Sequence, residues 1–70
     1  MRNMNAKQTV GALVKKMRLK ANLTQLDLGK LAGRSKQAIS LIEKGQVNPS
    51  IDTLCRLAVA LKVRPVELLP

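Results

Sequence analysis

Seventy residues make one domain at most, near the lower size at which an apolar core alone holds a fold together. The chain has no aromatic residue and no histidine, so its core must be aliphatic. Its single cysteine, Cys55, excludes an intramolecular disulfide and leaves no ligand set for zinc. Thirteen Lys and Arg against four Asp and Glu give a formal charge of +9, which speaks of polyanionic partners (DNA, RNA or anionic lipid) rather than of a fold. No apolar run approaches the roughly 18 residues of a membrane span. MRNMNAKQ shows no apolar signal region, so a cytoplasmic location is expected, with no cofactor or metal.

Residues 1–8 are polar and read as a flexible tail, or as a basic arm touching phosphate through Arg2 and Lys7. The domain is expected over 9–70. Thr9 can cap a first helix, with Val10, Leu13, Val14 and Met17 as its apolar stripe and Lys15, Lys16, Arg18 and Lys20 largely off it. Asn22 suits a left-handed exit. Thr24 caps a second helix, Asp27 completes a capping box, and Leu23 and Leu28 stand where a hydrophobic staple would close. Leu28, Leu31 and Ala32 form the expected buried side, and Gly33 ends the helix.

Ser35 caps a third helix. Ala38, Ile39 and Ile42 face inward, while Lys36, Gln37, Ser40 and Leu41 lie toward the other side. Gly45 stops it and GQVNPS forms a loop. Ser50 caps a fourth helix, with Asp52 near its positive end. Its expected stripe is Ile51, Leu54, Leu57, Ala58 and Leu61, and Cys55 is expected as a small core residue. Pro65 suits the first turn of a short fifth helix carrying Val66, Leu68 and Leu69. The pattern predicts five helices and no strand.

The second and third helices are each too short to persist in water unless packed. About three residues around Gly33 join them, which is the spacing of a helix-turn-helix. Gly29 lies inside the second helix, at a cost of about 1 kcal/mol relative to alanine. Close approach of another backbone would explain it.

The segment QLDLGKLAGRSKQAISLIEKG resembles the Cro and phage-repressor (XRE) helix-turn-helix family. Gln25 opens the second helix, Gly29 is the small crossing residue and Gly33 the turn glycine. Ile39 and Ile42 are the core anchors of the recognition helix, and Glu43-Lys-Gly45 closes it. NPSIDTLCRLAVALKVRPVELL resembles the helices that follow in that family. The resemblance implies an all-α, compact five-helix lambda-repressor-like DNA-binding domain. It also implies that Arg18 pairs with Glu43, and a bidentate pair would fix the recognition helix against the first helix.

On that reading the third helix enters the major groove of double-stranded DNA, N-terminal end toward the base edges. Gln37 is the best candidate reader, since its amide can pair with adenine N6 and N7. Lys36 can donate to guanine or to a phosphate, and Ser40 to either a base or a phosphate. Leu41 stands where the family often has a polar residue; it could meet a thymine methyl or turn sideways into protein. Gln25, Arg34, Ser35 and Lys44 are the candidate phosphate contacts, which position the protein without reading sequence.

A symmetric homodimer is expected, its recognition helices about one DNA turn, roughly 34 Å, apart. The resemblance places dimer contacts near Val63, Val66, Leu68 and Leu69, residues that could equally cap the core. The function expected is a sequence-specific transcriptional regulator, a repressor or restriction-modification-type controller, on a pseudo-palindromic operator. The alternative is a DNA-binding antitoxin with a toxin protein as partner. The capping and turn signals speak against a membrane-active peptide. No His, no acidic pair and no phosphate-cradling glycine loop speak for an enzyme.

Overall fold

The computed structural model describes residues 6–70 and consists there of four α-helices and one 3-10 turn, without a strand. The helices are α1 (Ala6–Lys20), α2 (Gln25–Ala32), α3 (Lys36–Glu43) and α4 (Ile51–Leu61); Pro65–Leu68 forms the 3-10 turn. The expected fifth α-helix is therefore corrected. PVEL is too short to close successive i→i−4 bonds, and its amides reach back three residues, Glu67 to Arg64 and Leu69 to Val66. α1 starts earlier than expected. Ala6, Lys7 and Gln8 are good helix formers, so Thr9 lies within the helix rather than capping it. Of the tail expected over 1–8, residues 1–5 lie outside the described residues.

The remaining caps follow from the side chains. Thr24 Oγ1 accepts from the Asp27 amide at 3.0 Å while Asp27 accepts from the Thr24 amide at 2.9 Å, a complete capping box. Ser35 and Ser50 cap α3 and α4 through the amides of Ala38 and Thr53. Asn22 and Gly33 leave their helices in left-handed conformation, and so does Lys62 after α4.

The core joins Val10 and Val14 of α1, Leu28 and Ala32 of α2, Ile39 and Ile42 of α3, the Leu54–Leu57–Leu61 side of α4, and Leu68. α3 packs on α1 and α2, and α4 packs on α2 and the 3-10 turn. Two glycines make this arrangement possible. A Cβ on Gly29 would stand 2.5 Å from the Arg34 carbonyl oxygen, so the turn backbone fits against α2 only because Gly29 has no side chain. A Cβ on Gly11 would run into the carbonyl oxygens of Ile42 and Glu43, which lets α1 lie directly against the end of α3.

Three expected core residues are exposed. Leu31 is 60% exposed because α2 turns Leu28, Gly29 and Ala32 inward, leaving Leu31 to one side. Ile51 is 79% exposed, at the first position of α4 and off the Leu54–Leu57–Leu61 line. Cys55 is also exposed, since it follows Leu54 by one residue and so lies about 100° around the helix from it.

Candidate nucleic-acid interface

α3 is amphipathic to a degree that fixes its outer face. Ile39 and Ile42 are buried, while Lys36, Gln37, Leu41 and Lys44 are exposed and Ser40 is half-buried. These five follow one another at i, i+1, i+4, i+5 and i+8, so they form a single strip along the helix. The strip carries two cations, an amide and a hydroxyl, the donors and acceptors that base edges and phosphates recognise.

The far end of α3 is clamped. Arg18 Nε donates to Glu43 Oε2 at 2.6 Å and Nη2 donates to Oε1 at 3.1 Å, so the expected pair is present and bidentate. Both side chains are largely buried. Arg18 Nη1 also donates to the Leu23 carbonyl at 2.8 Å, which ties in the α1–α2 corner. The hydrogen bond to Glu43 raises the Arg18 pKa above its ordinary value, against the opposing effect of burial. No buried side-chain polar atom among the described residues is left without a partner.

Gln25 joins this clamp, which the sequence reading did not foresee. Its Nε2 donates to Glu43 Oε1 at 3.1 Å. A carboxylate can only accept, so the amide must turn its nitrogen to Glu43. Glu43 therefore holds α1, α2 and α3 at one point, and Gln25 keeps one N–H and its carbonyl oxygen for other partners. A cleft of about 620 Å³ opens beside it, walled by Arg18, Asn22, Thr24, Gln25, Leu26 and Lys36. Lys36 thus stands across from the free amides at the start of α2, where an anion is favoured.

Arg34, a candidate phosphate contact, turns toward α4. Nε and Nη2 donate to Thr53 Oγ1 at 3.2 and 2.9 Å, Nη2 to Asp52 Oδ2 at 3.3 Å, and Nη1 to the Gly33 carbonyl at 2.9 Å. These four hydrogen bonds to three acceptors tie the turn to the start of α4. Asp52 has its pKa lowered first by the Arg56 hydrogen bond and also by Arg34. Asp27 has its pKa lowered by the capping-box hydrogen bonds from Thr24.

Leu41 leans toward the α3–α4 loop. It lines an apolar groove of about 230 Å³ with Ala38, Ile42, Val47 and Pro49, at the edge of the exposed strip. The expected dimer residues separate. Leu68 is fully buried, so it belongs to the core and not to an exposed face; Val63 packs partly against the core; Val66 and Leu69 are exposed. No group of three or more potential metal ligands exists among the described residues. No helix there is long and apolar enough to cross a membrane.

Residues 14–68, from within α1 through the 3-10 turn, match the helix-turn-helix family. The chain belongs to the XRE-type helix-turn-helix family of transcriptional regulators. It is similar to an uncharacterized HTH-type transcriptional regulator (y4dJ) of Sinorhizobium fredii, 38% identical over 65 residues that cover 93% of this chain and 84% of that one. Among solved structures it resembles the restriction-modification controller protein C.AhdI of Aeromonas hydrophila, with a TM-score of 0.86, 31% identity, and coverage of 89% of this chain and 94% of the other. It also resembles the P22 c2 repressor in complex with a synthetic operator, with a TM-score of 0.83, 35% identity and the same two coverages, 89% and 94%.

Within this XRE-type domain the sequence missed Gly11 and the Arg34–Thr53 contact. Gly11 carried a readable signal, a glycine inside a strongly helical segment, of the same kind that singled out Gly29. Thr53 carried none, since a threonine in the first turn of a helix has many ordinary uses.

Proposed function

We propose that the chain is a sequence-specific regulator that binds double-stranded DNA as a homodimer on a pseudo-palindromic operator, acting as a repressor or restriction-modification-type controller. One observation carries the reading. α3 exposes Lys36, Gln37, Leu41 and Lys44 while its opposite side is buried and its end is clamped by Arg18–Glu43. A rigidly mounted polar helix face can hold base contacts to the tolerance that sequence reading demands.

In this reading Gln37 reads a base pair and Lys36 serves a guanine or the phosphate beside the α2 start. Ser40 bonds to a base or phosphate. Gln25, Ser35 and Lys44 contact phosphates and fix the register. Leu41 contributes apolar contact at the edge of the groove. The formal charge of +9 supplies the sequence-independent part of the affinity. The relatives named above for control and repression favour a regulator over the antitoxin alternative.

The test is selection of bound duplexes from a random pool at near-physiological salt. The expected result is a two-fold-symmetric motif. Tight, salt-sensitive binding with no enrichment would overturn the reading, because the charge alone would then account for binding.

A further inference from the structure

The end of α3 is closed by a left-handed glycine. Gly45 has φ 72°. Its amide donates to the Ile42 carbonyl and the Gln46 amide donates to the Leu41 carbonyl, each at 3.0 Å. This is the Schellman pattern, in which the chain folds back over the last turn and an apolar contact commonly joins the two sides. Here the returning chain sets Val47 in the same groove as Leu41, with Ala38, Ile42 and Pro49. The contact does not bury them: Leu41 is 39% and Val47 41% exposed. The cap leaves much of both side chains in water.

The surroundings narrow what covers the rest. The groove holds about 230 Å³, below the roughly 300 Å³ at which small-molecule sites begin. It is also too small for the several anchors, three or four residues apart, by which a partner helix docks. Polar groups on its far wall are already engaged, Arg34 Nη2 and Ser50 Oγ both donating to Thr53 Oγ1, at 2.9 and 3.0 Å. On the other side it continues into the exposed strip of α3. Leu41 belongs to both, and Lys44 follows it by one turn. The occupant is thus a small apolar group presented by the DNA that the strip faces. Base edges in the major groove are lined by hydrogen-bonding groups, and the apolar group among them is the C5-methyl of thymine.

We infer that Leu41 and Val47 together receive a thymine methyl group in the major groove, which makes Val47, in the loop after α3, a specificity-determining residue. The inference rests on the reading of DNA by α3 and names the group recognised at this end of its face. Two branched side chains enclose a methyl group on two sides, where one alone would leave part of it in water.

The experiment uses the full chain and the duplex it selects. Each thymine of the selected motif is replaced in turn by deoxyuridine, which removes the methyl and keeps every hydrogen-bonding group of the base. Dissociation constants are measured for the wild type, Leu41→Ala and Val47→Ala. The expected result is one position in each half-site at which deoxyuridine weakens wild-type binding about fourfold, the worth of one buried methyl group. That factor falls below about twofold in both variants. Val47 lies in a loop and outside the core, so its variant keeps the wild-type helical circular dichroism. If Leu41→Ala loses binding altogether, the factor in Val47→Ala decides. A motif in which no thymine responds overturns the inference, and so does a response that stays above twofold in a variant that binds. Failure of the operator reading is separable. No selected motif overturns that reading and this inference with it, whereas a motif without the methyl response overturns this inference alone.

Discussion

Glu43 accepts hydrogen bonds from two helices and belongs to a third, so its removal acts on all of them. Glu43→Ala leaves the Arg18 guanidinium buried without its counter-charge, a change that costs about 3–5 kcal/mol in comparable buried pairs. That is a large share of the stability of a domain this small. Thermal unfolding followed by circular dichroism should show a sharply lowered midpoint, and an unchanged midpoint would mean that the clamp is solvated. Lys44 differs in kind. It sits exposed at the end of α3 and, if it meets a phosphate, Lys44→Ala should weaken binding to every duplex by about the same factor. Titrations over a range of salt should then show a slope reduced by about one. A loss confined to one duplex sequence would assign Lys44 to base reading instead.

At the scale of helices, the glycines and the caps decide the packing. Alanine at Gly11 or Gly29 would gain about 1 kcal/mol of helix propensity if nothing stood in the way. Backbone oxygens stand in the way at both positions and cannot rotate aside as a side chain could. Gly11→Ala and Gly29→Ala should therefore both lower the urea midpoint; a raised midpoint would show that the helices can move apart freely.

Two acidic residues in the first turns of α2 and α4 set an acid limit. Asp27 and Asp52 have lowered pKa values in the folded chain, from the Thr24 and Arg56 hydrogen bonds respectively. Their contributions are complete above the unfolded carboxylate value of about 3.9 and are lost as pH falls through the lower folded values. Stability should stay level from neutral pH into the mildly acidic range and then decline, and Asp52→Asn should flatten part of that decline. Urea midpoints measured across this range check both.

These elements were legible in the sequence to differing degrees. Capping residues announce helix starts because the chemistry is local, and Thr24, Ser35 and Ser50 all cap as their types suggest. Thr9 misled because good helix formers precede it. Leu31, Ile51 and Cys55 misled because periodicity gives a stripe but not its centre. The centre is set by where backbones touch, here by Gly11 and Gly29 against α3 and the turn. The Arg34 contacts with α4 were not legible for a related reason. Their acceptors, Thr53 and Asp52, lie about twenty residues away and only the tertiary fold brings them near.

The whole molecule is a small clamped scaffold that carries one polar helix face, in a family of transcriptional regulators. Most of the fold follows from local signals and a glycine turn. The exposed polar face follows from the amphipathicity of α3, but which of its residues would distinguish one base pair from another depends on DNA. Side chains at i, i+1 and i+4 share that face. The central claim is that this face reads sequence and that Gln37 is its principal reader. Parallel selections from one random duplex pool, with the wild type and with Gln37→Ala, test it most directly. The account predicts the same symmetric motif for both, with the preference lost at one base pair in each half-site and about 1–3 kcal/mol of discrimination gone there. An identical motif at every position, or no motif for the wild type, would contradict it.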